Sequence, residues 1–124
     1  MILDTDVLVD FLRGQGAAER VAVELKKRRA FTTAITAFEL WAGAKTSEQA
    51  AAVETLLGAL PILPLETPGA RRSGEIQRAL EQKGTTIGMA DSLIAGICLE
   101  QGKPLLTRNK KHFQRVPDLQ LIDL

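Results

Sequence analysis

The sequence has little cysteine, few aromatic residues and a single histidine, and these shortages exclude several kinds of site. With one cysteine, Cys98, the chain cannot form an internal disulfide, and the apolar stretch around it predicts a small core residue. One cysteine and one histidine cannot supply the ligands of a structural zinc site. His112 has no nucleophile-elbow motif to serve, and no glycine-rich loop for phosphate is present.

Long hydrophobic runs are also missing. The longest uncharged stretch, 55–65, contains one glycine and two prolines and is too short to span a bilayer. Acids at positions 4 and 6 interrupt the place where a secretory signal would lie. We therefore expect a cytoplasmic protein with no membrane segment. At 124 residues and 45% hydrophobic content, the chain is expected to form a single domain over 1–124.

Short apolar runs alternate with longer helical patterns along the chain. Strands are predicted at 1–4, 30–33, 62–65, 104–106 and 119–122, and prolines in the third indicate a sheet edge. Helices are predicted at 7–12, 17–27, 36–44, 48–57, 67–83 and 89–101. Strands separated by helices predict an α/β fold with a mostly parallel sheet and helices on both faces.

Four residues from distant parts of this pattern are expected at one place. Asp4 and Thr107 come at the carboxyl ends of predicted strands, and Glu39 and Asp91 fall near helix starts. In open parallel sheets the functional crevice lies outside the carboxyl ends of the strands. The sequence therefore predicts an acidic site at that edge.

Each acid also has a structural explanation. Glu39 completes a capping-box pattern with Thr36. Asp91 lies where a helix dipole favours an acid, although the helix around it is apolar on nearly every side. Asp4 has the weakest structural explanation, because strands disfavour Asp and the first helix is predicted to start only near Val7.

The two remaining acids of the first segment have simpler interpretations. Asp6 is predicted to cap the first helix, although it can also reach an ion bound beside Asp4. Asp10 is predicted to form a surface pair with Arg13.

Converging carboxylates repel each other, which either raises the pKa of some of them or requires a bound cation. Oxygen ligands suit Mg²⁺ or Mn²⁺, which are often shared with substrate phosphates. Basic residues but no acids occur from 101 to 117, and they are candidate phosphate contacts: Lys103, Arg108, Lys110, Lys111 and Arg115. Without the acidic site, the simpler interpretation of such a basic cluster is a solvent-exposed surface with no binding role.

Four motifs, taken in order, resemble those of PIN-domain ribonucleases, most closely the VapC-type toxins of prokaryotic toxin–antitoxin pairs. They are Ile2–Asp10, Phe38–Leu40, Asp91–Ala95, and Leu106–Asn109 followed by His112-Phe113. The resemblance covers the whole chain. It implies a three-layer α/β/α fold with a mostly parallel five-stranded sheet, and metal-dependent endonucleolytic cleavage of RNA.

Carried over by position, the resemblance assigns metal coordination and catalysis to Asp4, Glu39 and Asp91. It also implies that the hydroxyl of Thr107 orients Asp4. Where many members have a fourth acid, this sequence has the neutral Asn109 and His112. Asn109 can contact an ion through its carbonyl or through water, and His112 is expected to pack or hydrogen-bond rather than to ligate.

The resemblance further implies a small antitoxin partner and a homodimer. Arg108, Lys110 and Lys111 follow the strand that ends at the site and are the expected RNA contacts. Trp41 is expected in the core, with a groove or an interface, shared with Leu40, as the alternative.

Two alternatives remain open from the residues. One is a PIN-like domain that binds RNA or protein without cutting. The other is a haloacid-dehalogenase-type phosphatase with Asp4 as its nucleophile.

Overall fold

The computed structural model describes all 124 residues as alternating short strands and helices. The elements are β1 (Ile2–Leu3), α1 (Thr5–Arg13), α2 (Ala18–Lys26), β2 (Thr32–Thr33), α3 (Ala34–Gly43), α4 (Ser47–Leu57), β3 (Ile62–Leu63), α5 (Thr67–Gln82), α6 (Met89–Gln101), β4 (Leu105–Leu106), α7 (Lys110–Phe113) and β5 (Leu121–Ile122). The predicted strands and helices are all present, and the short helix α7 is additional.

All strand pairs are parallel, as predicted. The strands form a three-stranded sheet in the order β1-β4-β5 and a two-stranded sheet of β2 and β3. A single parallel bridge between Ile2 and Phe31 links the two sheets, so the five strands lie in the order 3-2-1-4-5 without forming one continuous ladder. The strand β3 pairs only with β2, which confirms the edge position indicated by its prolines.

The core lies on both faces of the sheet, because successive side chains of a strand point to opposite sides. Ile2 and its partner Leu105 belong to the cluster packed on α5 and α6. Leu3 and its partner Leu106 belong to the cluster packed on α1, α3 and α4. This arrangement gives the expected three layers, and Cys98 is buried within one of them. No helix is both long and apolar enough to cross a membrane.

Two predicted helix starts were wrong, and both errors concern acids of the site. The helix α1 begins at Thr5, and Asp4 rather than Asp6 caps it by accepting the Thr5 amide. The helix α3 begins at Ala34, and the Thr33 hydroxyl accepts the Thr36 amide as its cap. The predicted capping box is therefore absent, which leaves the Glu39 carboxylate available for other contacts.

Two side-chain environments also differ from the prediction. Asp10 is 2% exposed and pairs with Arg108, not with Arg13 at the surface. Trp41 is 45% exposed, so its predicted place in the core was wrong, and Phe38 on the same helix is exposed as well. The exposed aromatic residues of α3 lie beside Glu39 in the sequence.

A buried carboxylate on α2 links this helix to the residues just before β2. Glu24 of α2 accepts hydrogen bonds from Arg20 at 3.0 Å and from Arg29 at 2.7 Å and 3.1 Å. Burial alone would raise the pKa of Glu24, but the hydrogen bonds from Arg29 and Arg20 outweigh it and hold the pKa below its usual value. The Met1 ammonium donates a hydrogen bond to the Arg29 carbonyl, close in sequence to the bridge between Ile2 and Phe31.

The lowered pKa of Glu24 predicts a pH-dependent contribution to stability. Because the folded-state value lies below the unfolded value, the contribution is present above about 4.5 and is lost as the pH falls through the folded pKa. Glu24→Gln should lower the free energy of unfolding by about 1–2 kcal/mol at pH 7, since both arginines are partly exposed. Denaturant unfolding at pH 7 and pH 3 measures the effect.

The control is Glu19→Gln, which changes an exposed acid of the same helix and should alter stability little at either pH. A difference between parent and Glu24→Gln that stays constant from pH 7 to pH 3 would contradict the ionic role of Glu24.

Candidate metal and active site

The predicted site residues lie at the carboxyl-terminal edge of the sheet. Asp4 follows β1 and Thr107 follows β4, and these two strands pair in parallel. The Thr107 hydroxyl donates to Asp4 Oδ2 at 2.7 Å across 103 positions of the chain. Glu39 lies on α3, which follows β2 without a break, and Asp91 lies in the first turn of α6. The parallel sheet thus brings the ends of distant segments to one edge, as expected.

Asp4 is a buried carboxylate without a basic partner. It is 4% exposed, and its two oxygens accept the Thr5 amide at 2.8 Å and the Thr107 hydroxyl at 2.7 Å. Burial and then the neighbouring charge of Asp6 raise the pKa of Asp4 to about 7, with a smaller contribution from Asp91. The hydrogen bonds from Thr107 and Thr5 oppose this rise without cancelling it.

Asp6 lies beside Asp4 and is only partly satisfied. Its Oδ2 accepts the Arg108 amide at 3.1 Å and faces the Thr107 hydroxyl at 3.3 Å. Its Oδ1 is buried and has no hydrogen-bond partner. Burial raises the pKa of Asp6, against the hydrogen bond and the charge of Arg108. A buried oxygen without a donor is unusual in proteins and marks a place where a cation or a water would be stabilised.

The other two acids contact hydroxyl, amide and imidazole groups. The Thr5 hydroxyl donates to Glu39 Oε1 at 2.6 Å and contacts the Thr36 hydroxyl at 3.0 Å. Asp91 Oδ2 lies 3.4 Å from both the Asn109 amide nitrogen and His112 Nδ1. Those two groups are 3.0 Å apart, so His112 makes the polar contact expected of it.

The acids do not form a ready-made ligand cluster. No three His, Cys, Asp or Glu side chains are close enough together, as placed, to hold a metal ion. The joint coordination by Asp4, Glu39 and Asp91 therefore stays a prediction. The donor chemistry nevertheless fits a hard divalent cation: the candidate donors are carboxylate oxygens, Asp6 Oδ1 lacks a partner, and Asp4 feels uncompensated negative charge.

Comparison with known proteins assigns this fold to a family. Residues 1–119 match the sequence profile of the PIN domain. The chain belongs to the PIN-domain family. It is 30% identical over 126 residues to the tRNA(fMet)-specific endonuclease VapC of Salmonella typhimurium, covering 98% of this chain and 96% of the relative. It is 34% identical over 121 residues to ribonuclease VapC19 of Mycobacterium tuberculosis, covering 96% of each.

Solved structures agree with the sequence relatives. DNA-bound VapBC from Salmonella typhimurium superposes with a TM-score of 0.88 at 30% identity, over 98% of this chain and 96% of that one. VapBC2 from Rickettsia felis, bound to a promoter DNA fragment, also has a TM-score of 0.88, at 26% identity, over 99% and 97% of the two chains. Within the PIN family the chain is therefore of the VapC ribonuclease type of type II toxin–antitoxin systems. The phosphatase alternative is wrong.

The basic residues of this PIN domain are less available than the sequence suggests. Arg108 pairs with Asp10, and Lys110 pairs with Asp123. Lys111 is exposed and takes part in no ion pair. The expected RNA contact by all three residues stays a prediction, and the ion pairs favour Lys111.

Sequence reasoning missed Thr5, which contacts two of the acids, whereas Asn109 was already expected near the ion. Thr5 holds Asp4 through its amide and Glu39 through its hydroxyl. The Asn109 amide donates to Thr107 Oγ1 at 2.9 Å, while its side chain faces Asp91. The role of Thr5 could have been predicted from its position between two acids at the end of a strand.

The cost of burying Asp4 predicts a stabilising substitution. Asp4→Asn keeps the shape and the cap of α1 but removes the charge. In chelator at pH 8, where the parent carboxylate is ionised, the variant should be more stable by about 1–3 kcal/mol. Mn²⁺ should raise the melting temperature of the parent and do much less for the variant. Thermal scans with and without Mn²⁺ test both effects.

The matched control is Asp118→Asn, which neutralises an exposed acid and should leave the metal response intact. If Asp4→Asn melts below the parent in chelator, Asp4 serves as a structural cap and not as part of a metal site.

Proposed function

We propose that this protein is a VapC-type toxin that hydrolyses RNA phosphodiester bonds with Mg²⁺ or Mn²⁺ held by Asp4, Glu39 and Asp91. The observation that carries the proposal is the environment of Asp4. It is a buried carboxylate at the strand ends, held by neutral donors and repelled by Asp6 and Asp91. An ion would relieve that repulsion, and the site lies where parallel sheets bind their ligands.

The residues around the acids have positioning roles in this reaction. When bound, the ion would polarise a phosphoryl oxygen and lower the pKa of a water. Thr107 orients Asp4, Thr5 orients Glu39, and Asn109 lies against Asp91. No serine, cysteine or histidine nucleophile is required, which agrees with a site composed of acids and neutral donors.

The substrate and partners proposed here follow the same family. Single-stranded or looped RNA is the target class, because its bases are accessible. The solved relatives are VapBC toxin–antitoxin complexes, which supports a small antitoxin as the partner. A groove of about 260 Å³ between α1, α3 and α4 has Glu39 in its wall, so a segment lying there would reach the acidic site.

A homodimer acting in the cytoplasm completes the proposal. Phe38, Trp41 and Met89 are large apolar side chains that are 70%, 45% and 70% exposed. Burial of such side chains is favourable, so a second copy covering them would be stabilised.

The catalytic prediction uses the purified chain without its partner. It should cleave single-stranded RNA with Mn²⁺ or Mg²⁺ and stop in chelator. Glu39→Gln and Asp91→Asn should each reduce the rate at least about 100-fold while far-UV circular dichroism stays native, because each removes a carboxylate ligand. Gel analysis of end-labelled RNA measures the rate.

Glu48→Gln, which alters an exposed carboxylate on α4, is the matched control and should cleave like the parent. Metal-independent RNA binding with no cleavage under any of these conditions would instead support the non-catalytic PIN-like alternative.

A further inference from the structure

An ion pair beside the site joins Asp10 and Arg108, a pairing that the sequence analysis did not predict. Arg108 Nε lies 2.8 Å from Asp10 Oδ2, and the Asp10 side chain is only 3% exposed. The Ala17 amide donates to the same carboxylate oxygen at 3.0 Å. Because a buried carboxylate that loses its cationic partner is strongly destabilised, the Arg108 guanidinium is held in place although half of it is exposed.

The turn after α1 fixes Asp10 from the other side. Gly16 has a φ of +54°, and a Cβ at this position would clash with the Asp10 carboxylate. Only glycine adopts this backbone readily and lets the turn approach so closely. The Gln15 amide also donates to the Asp10 carbonyl at 3.1 Å. Asp10 is therefore a rigid anchor for whatever pairs with it.

Arg108 contacts two acids that lie one turn apart on α1. Its amide donates to Asp6 Oδ2 at 3.1 Å, and its side chain pairs with Asp10. Residues four apart lie on the same face of a helix. The main chain and the side chain of Arg108 are thus both fastened along one face of α1.

The neighbours of Arg108 contact the acids of the site. Thr107 donates to Asp4 at 2.7 Å, and the Asn109 side chain lies 3.4 Å from Asp91. The Asn109 amide also donates to Thr107 Oγ1 at 2.9 Å. Since the three residues are consecutive, a displacement of Arg108 moves both groups that touch the acids.

We propose that Arg108 is a positioning residue, and that the Asp10–Arg108 ion pair fixes segment 107–109 so that Thr107 and Asn109 hold Asp4 and Asp91. This ion pair is called the clamp below. The proposal replaces the direct RNA contact expected for Arg108 from the sequence. Its kinetic readout rests on the proposed ribonuclease function, whereas its structural readout does not.

The test compares the two halves of the clamp with a nearby cation. Asp10→Asn keeps an acceptor for the Ala17 amide and removes the charge, and Arg108→Gln removes the other half of the pair. Lys111→Gln is the comparison, since Lys111 is an exposed cation on the neighbouring helix α7 and forms no ion pair. Amide hydrogen exchange of the metal-free proteins is measured by nuclear magnetic resonance, and kcat, KM and the salt dependence of RNA binding are measured with Mn²⁺.

The clamp predicts matching effects for the two halves. Exchange at the backbone amides of positions 108 and 109 should accelerate at least about tenfold in Asp10→Asn and Arg108→Gln, with the β1 amides unchanged. Both variants should lower kcat about 10- to 100-fold with little change in KM or salt dependence. The double variant should be no slower than the worse single variant, because both remove one interaction. Lys111→Gln should raise KM and reduce the salt slope by about one, with kcat and exchange unchanged.

Two results would overturn the proposal. If Arg108→Gln raises KM and reduces the salt slope while Asp10→Asn leaves kcat unchanged, Arg108 contacts phosphate directly. If neither variant changes exchange at the two amides, the clamp does not position the segment, whatever the kinetics show. If the parent cleaves no RNA, the ribonuclease proposal fails and the exchange rates alone decide the clamp. Arg108→Gln tests the same pair if Asp10→Asn does not fold.

Discussion

The hydrogen bond from the Thr107 hydroxyl to Asp4 is the contact on which the site depends. It joins the ends of β1 and β4 at 2.7 Å, inside the protein, between residues 103 positions apart. A hydroxyl stabilises a carboxylate much less than a guanidinium would, so burial still raises the pKa of Asp4 to about 7. The bond fixes the position of the carboxylate without neutralising it. That combination is what a cation site requires of a protein: a fixed oxygen ligand with its charge uncompensated.

The shortness of the strands explains why such contacts are needed. Each strand has two residues, so the ladders contribute few hydrogen bonds, and a single bridge at Ile2 and Phe31 joins the two sheets. Side chains therefore complete the connections at the strand ends. The Thr32 hydroxyl donates to the Leu3 carbonyl at 2.9 Å, and Thr5 links the start of α1 to α3. Thr5 and Thr107 both connect distant segments and contact the acids, so stability and site geometry are not separable at these two residues.

Much of the fold and the location of the site could be predicted from the sequence. Apolar runs bounded by glycine and proline predicted the order of the elements, and α6 matches its predicted bounds of 89–101. The carboxyl-end rule for parallel sheets predicted that Asp4 and Thr107 would meet. The order of the elements could be predicted because it depends on local sequence periodicity. The meeting of Asp4 and Thr107 could be predicted because it follows from the parallel pairing of the strands alone.

The predictions that failed depend on contacts between distant segments. Asp10 and Arg13 are correctly spaced for a surface pair on a helix, but Arg108 lies 98 positions further along the chain than Asp10 and takes that role. Trp41 was expected in the core because aromatic burial is favourable, yet Leu40 and Ala37 are the residues of α3 that pack into the core cluster on α1, α3 and α4. Helix starts failed for a related reason. Thr33 and Thr36 can each cap a helix, as can Asp4 and Asp6, and packing selects one of each pair.

Asn109 and His112 influence the charge of the site because neither is an acid. Their side chains lie 3.4 Å from Asp91 and 3.0 Å from each other, and neither carries a negative charge, so they add no repulsion to the acids already present. They also offer no further anionic oxygen. Divalent affinity depends on the number of charged ligands, so we expect the site to hold one ion tightly and a second only weakly. Among the neighbouring acids, Asp6 raises the pKa of Asp4 more than Asp91 does, and its Oδ1 is buried without a hydrogen-bond partner. We therefore expect Asp6, and not a residue of segment 107–113, to supply any further anionic oxygen, since that segment carries no carboxylate.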